Sequence, residues 1–151
     1  SMAFDRELVE AQLALEHSGT TDMPKLAWDA LEAGLDGPAT RRLAALRFPT
    51  FFEVREVLPA VLREWGMKQL SAEEAALRLA KIRVRQILQN DEDPLEHSGD
   101  FYQMWVDSDY CRALREYGPL GDEAFVAREC GQSDDEIRAW LLAKFKALAA
   151  L

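Results

Sequence analysis

Residues 71–89 read Ser-Ala-Glu-Glu-Ala-Ala-Leu-Arg-Leu-Ala-Lys-Ile-Arg-Val-Arg-Gln-Ile-Leu-Gln. Ser71 and Glu74 form the pattern of a capping box, in which a hydroxyl and a carboxylate satisfy the first unpaired backbone donors of a helix. Behind them Leu77, Ala80, Ile82, Val84, Ile87 and Leu88 recur with helical period, so the spacing predicts one long helix. The same period recurs on either side, and no stretch shows the sustained alternation of β-branched and aromatic residues that marks a strand. The chain is therefore expected to be all-α, a compact multi-helix bundle of antiparallel hairpins or a short helical-repeat stack.

Working toward the N-terminus, a helix is expected from Phe4 to Glu16, with Gly19 just past its end. A second is expected from Pro24 to Gly34, and a third capped by Asp36 with Pro38 in its first turn. Thr50 caps a fourth, in which Val54, Val57, Leu58, Val61, Leu62 and Trp65 form an apolar stripe. Pro59 lies inside it and predicts a kink or a split near Arg55 to Pro59. Phe48, Phe51 and Phe52 around Pro49 are expected to pack into the core at this helix entry.

Toward the C-terminus, Asp93-Pro94 opens a helix to about Asp107, weakened at Gly99. Shorter helices are expected from Asp109 to Tyr117 and from Asp122 to Glu129, then a last one capped by Ser133-Asp-Asp-Glu136. The pentapeptide Leu-Glu-His-Ser-Gly stands at both 15–19 and 95–99. Its spacing is outside the range of solenoid repeats, and its flanks do not align, so it reads as coincidence.

The length of 151 residues, with 48% hydrophobic and 30% charged residues, suits one folded domain, residues 2–151, with Ser1 a remnant of protease cleavage. No signal peptide or spanning run is recognised, so a cytoplasmic protein without a membrane partner is expected. The net charge of -9 excludes nucleic acid as a main ligand. Cys111 and Cys130 lie in no metal or redox spacing and are read as reduced, buried thiols. Charge is laid out in blocks: -6 over residues 1–36, +5 over 37–90 and -8 over 91–151. The last block could build an acidic face that steers a basic partner.

Two constellations are candidates for chemistry. Asp93, His97 and Asp100 bring carboxylates and an imidazole to one helix start, where they could hold a divalent ion or serve a small enzyme. Acids at a helix start are equally expected from capping and the helix dipole, and no cofactor is implied. The second constellation is Asp100-Phe-Tyr-Gln-Met-Trp-Val-Asp-Ser-Asp-Tyr110. One reading makes this helix central and buried nearly all round. The other projects Tyr102, Trp105 and Tyr110 as an aromatic patch rimmed by Asp100, Asp107 and Asp109, the anatomy of a protein-binding hot spot. No catalytic signature such as a nucleophile elbow or phosphate loop occurs.

Within Trp28 to Leu46 the chain carries the pattern A-L-x-x-G-x-D-x-P-x-x-R-x-L-A, on Ala30, Leu31, Gly34, Asp36, Pro38, Arg41, Leu43 and Ala44. This resembles a group of small uncharacterised bacterial all-α proteins. The resemblance covers roughly residues 24–118: a helix like Glu53–Trp65 follows, then one like Glu73–Gln89, then one with the proline and tryptophan of Pro94 and Trp105. Pro59 departs from that pattern. The resemblance implies a fold and brings no activity or site residue. The function expected from all of this is a bacterial protein-interaction module, immunity-like or an adaptor, that binds a basic protein; the alternative is the small enzyme around Asp93, His97 and Asp100.

Overall fold

The structure, a computed structural model, describes residues 4–16 and 19–151. It is all-α, with eight α-helices, three short 3-10 turns and no strand among the described residues. No helix there is long and apolar enough to cross a membrane. The chain divides into two compact units, residues 1–70 and 71–151.

The first unit holds α1 (Arg6–Ala14), α2 (Met23–Glu32), α3 (Pro38–Ala44) and α4 (Phe51–Glu64). Asp5 caps α1 through Leu8 N–H, and Glu16 turns the chain at its end with φ 56°. His17 and Ser18, in the first copy of the repeated pentapeptide, lie outside the described residues. α4 starts on the full Thr50–Glu53 capping box and runs as one helix through Pro59, so the expected split does not occur. Pro59 sits on the exposed side of the helix, where the Arg55 carbonyl that it leaves without a helical donor can turn toward solvent. The core gathers Val9, Met23, Ala27, Leu43, Val54, Val57, Val61, Leu62 and Trp65.

Asp36 does not cap α3 as expected. Gly37 occupies the cap position, and Asp36 instead accepts from Gly37 N–H and pairs with Arg41. The cap arrives from α4: the Glu64 carboxylate accepts from Ala39 N–H (2.8 Å), Thr40 N–H (2.8 Å) and the Thr40 hydroxyl (2.7 Å). Thr40 Oγ1 in turn accepts from the buried Trp65 Nε1–H at 2.9 Å. A Cβ on Gly37 would overlap the Glu64 carboxyl, so this approach requires glycine. Burial pushes Glu64 upward in pKa, but the hydrogen bonds from Thr40 and Ala39 outweigh it and hold the carboxyl below its ordinary value. The far end of α4 is closed by Arg6, which donates to the carbonyls of Trp65 (2.7 Å) and Gly66.

The second unit holds α5 (Ala72–Gln89), α6 (Tyr102–Asp107), α7 (Leu120–Glu129) and α8 (Asp134–Ala149). Ser71 and Ser133 cap α5 and α8 by accepting from the N–H groups of Glu74 and Glu136, the hydroxyl half of the expected capping boxes. Leu79, Val84 and Ile87 of α5 and Ile137, Leu141 and Phe145 of α8 are buried, and Phe145 meets Phe101 edge-on at 5.5 Å.

The single helix expected from Pro94 to Asp107 is broken. Pro94–His97 forms a 3-10 turn, tight bonds continue through Asp100 N–H to His97 C=O, and α6 begins only at Tyr102. A Cβ on Gly121, near the start of α7, would lie 3.1 Å from Gly99 Cα, so the two backbones pass in close contact there. The helix expected from Asp109 to Tyr117 shrinks to a 3-10 turn at Arg112–Leu114, because Asp109 and Tyr110 both adopt positive φ and reverse the chain. α6 is also not central: none of its residues is buried, and the buried aromatic is Phe101 before it. Cys111 is buried as expected, whereas Cys130 is exposed.

Candidate functional site

The aromatic segment is built by an abrupt end to α6. Tyr110 N–H donates to Trp105 C=O at 2.7 Å and Asp109 N–H to Val106 C=O, closing the helix with two consecutive left-handed residues, φ 57° and 58°. Asp tolerates this region through its short polar side chain; a tyrosine there is strained by about 1–2 kcal/mol. The reversal carries the Tyr110 ring back onto Trp105, edge-on at 5.0 Å, while Tyr102 meets the same indole from one turn earlier at 6.3 Å. Ser108, buried beneath, donates its hydroxyl hydrogen to Trp105 C=O and accepts from Cys111 N–H.

Trp105 is the half-buried centre of this triad. A Cβ on Gly118 would overlap its indole, so the ring lies directly against backbone. Its Nε1–H is buried and finds no acceptor among the described residues. Tyr102 and Tyr110 remain 45% and 54% exposed, and Asp107 and Asp109 stand exposed at the rim, Asp107 accepting from Gln103 at 2.8 Å.

Asp100 does not share that rim. Its carboxylate lies 2.9 Å from Arg83 Nε of α5 and 2.8 Å from His97 Nδ1, and the His97 Nε2 side faces Glu92 at 3.4 Å. Asp93 is drawn the other way: it accepts from Leu95 N–H and pairs with Arg138 of α8 at 3.1 Å. The Arg138 guanidinium beside Asp93, with the Leu95 N–H, holds its carboxyl below the ordinary value. The acidic run therefore clasps residues 93–100 to α5 and α8 through two arginines. His97 and Asp100 meet, but Asp93 does not join them, and no group of three His, Cys, Asp or Glu side chains suited to a metal converges among the described residues.

The first unit exposes what the sequence reading placed inside: Phe48, Phe51 and Phe52 are 90%, 53% and 79% exposed. A signal was available, since Phe52 falls off the Val54, Val57, Val61 stripe that faces the core. The arginines that neutralise Asp93 and Asp100 had no such signal, because Arg83 and Arg138 reach them across 17 and 45 residues of chain. No protein-family model matches this chain, and no curated protein or solved structure matches it significantly.

Proposed function

We propose that the protein is a cytoplasmic interaction module that binds a basic protein partner through Tyr102, Trp105 and Tyr110, with Asp107 and Asp109 steering the encounter. Either an immunity-like neutraliser or an adaptor would act this way. The observation that carries the reading is Tyr110: an aromatic side chain held exposed by a backbone conformation that costs energy. Strained, exposed residues concentrate at functional surfaces, and Tyr with Trp dominates binding hot spots. The tyrosines supply apolar area with polar tips, and two carboxylates at the edge raise the association rate of a positively charged surface. The enzyme alternative rests on the His97–Asp100 pair alone, with both Asp93 and Asp100 already opposed by guanidinium groups.

Affinity isolation from the native host, followed by surface kinetics on the purified partner, tests the proposal. The partner should be basic and its association should slow with added salt. Replacing Asp107 and Asp109 with Asn should lower mainly the on-rate, and Tyr102→Ala or Tyr110→Ala should speed dissociation with the fold intact. Binding indifferent to all four substitutions would remove this face from the function.

A further inference from the structure

We infer that the first unit carries a second docking site, a groove along α4 that takes an amphipathic acidic helix of a partner protein. The groove encloses about 850 Å³ beside α4: Phe51, Leu58 and Leu13 offer its accessible apolar surface, while Val54, Leu62 and Met23, which belong to the core, form its floor. These α4 positions follow the spacing of one helical face, and at ~1.5 Å per residue Phe51 to Leu62 spans about 16 Å, three turns. The apolar surface does not stop at the groove: Phe51 meets Phe52 edge-on at 6.0 Å, and Phe48 lies almost wholly exposed nearby in sequence. The Phe51–Phe52 pair continues the groove as exposed apolar surface, a feature of interaction sites.

Charge selects the occupant. Among the described residues the charged side chains lining the groove are Arg55, Arg63 and Glu16, a net charge of +1. Among the described residues neither arginine pairs with a carboxylate; Arg55 only overhangs the Phe51 ring at 5.8 Å. The acids of α4 do not neutralise them, since Glu53 closes the capping box, Glu64 is folded onto α3, and Glu56 does not line the groove. Arg55 and Arg63 stand eight residues apart, about 12 Å along the axis. Two cations at that separation match two carboxylates two turns apart on one helix, at i and i+7, with an apolar face between them. A single-headed amphiphile would satisfy only one. This site prefers a charge opposite to that preferred by the Tyr102–Tyr110 face.

The probes are two synthetic 18-residue helical peptides with the same leucine stripe, one flanked by Glu at i and i+7 and one by Lys, titrated against the full chain at low ionic strength by fluorescence anisotropy. The Glu peptide should bind and the Lys peptide should bind at least about tenfold more weakly. The double variant Arg55→Glu with Arg63→Glu should weaken the Glu peptide about 5- to 30-fold and prefer the Lys peptide. Arg55→Gln with Arg63→Gln should abolish the preference without reversing it. Circular dichroism should be unchanged in both variants, because neither guanidinium has a carboxylate to lose. Equal affinity for the two peptides, absence of binding, or insensitivity to the substitutions overturns the inference. So does dodecanoate binding where the Glu peptide does not, or a dimer of the chain that the arginine variants dissolve.

Discussion

The Glu64 clasp gives the sharpest test of how the first unit holds together. α3 has seven residues and no side-chain cap of its own, and a helix this short is not stable alone. Glu64 supplies three acceptor contacts at its N-terminus. Deleting the carboxylate in Glu64→Ala frees the Ala39 N–H, which reaches water at about the cost of a lost cap, ~1 kcal/mol. It also frees the donors of Thr40, a wholly buried residue, at about 1–3 kcal/mol. The expected loss is about 3 kcal/mol, read by urea unfolding with far-UV circular dichroism and tryptophan fluorescence, since Trp65 shares the Thr40 hydroxyl.

Two further outcomes follow from the same geometry. Gly37 has φ 167°, extended backbone that alanine also adopts, so Gly37→Ala should be costly only because its Cβ displaces Glu64. It should therefore cost about as much as Glu64→Ala, and the double variant little more than either. Because the folded-state pKa of Glu64 is lowered, its contribution is complete above the unfolded value of about 4.3 and is lost as pH falls through the folded value. The stability gap between wild type and Glu64→Gln should thus be widest near neutral pH and close in acid. A loss below ~1 kcal/mol for Glu64→Ala, additive effects of the two substitutions, or a gap independent of pH would refute the reasoning.

Gly118→Ala should destabilise the second unit by about 1–3 kcal/mol, measured by thermal unfolding, because its Cβ overlaps the Trp105 indole; a neutral effect would mean that the indole is free to move. Arg6→Ala should cost about 1 kcal/mol by releasing the Trp65 and Gly66 carbonyls at the end of α4, and Arg6→Lys should recover part of it; no loss in urea unfolding would make the contact idle. In the native protein a thiol reagent should label exposed Cys130 quickly and buried Cys111 only under denaturing conditions, so two fast thiols by mass spectrometry would contradict the packing around Cys111.

Much of the local structure was legible in the amino-acid order. The all-α class, the long helix behind Ser71-Ala-Glu-Glu74, the Thr50 cap and the Ser133 start depend on residues three or four apart, and side chains at that range decide a helix start without help from the rest of the chain. Where tertiary contacts compete, local rules lost. Pro94 to Asp107 carries helical spacing, yet the close approach of Gly99 and Gly121, with Arg83 and Arg138 holding Asp100 and Asp93, breaks it. Asp36 looked like the α3 cap and was replaced by Glu64, which reaches α3 across 24 residues and is invisible to any short window. The tyrosines and rim acids of the candidate site could be listed from the sequence, but whether they faced the core or water could not, because two left-handed residues after α6 set the direction of Tyr110. Periodicity says which residues share a face; only the packed chain determines whether another element covers that face, and among the described residues Phe48, Phe51 and Phe52 stay exposed.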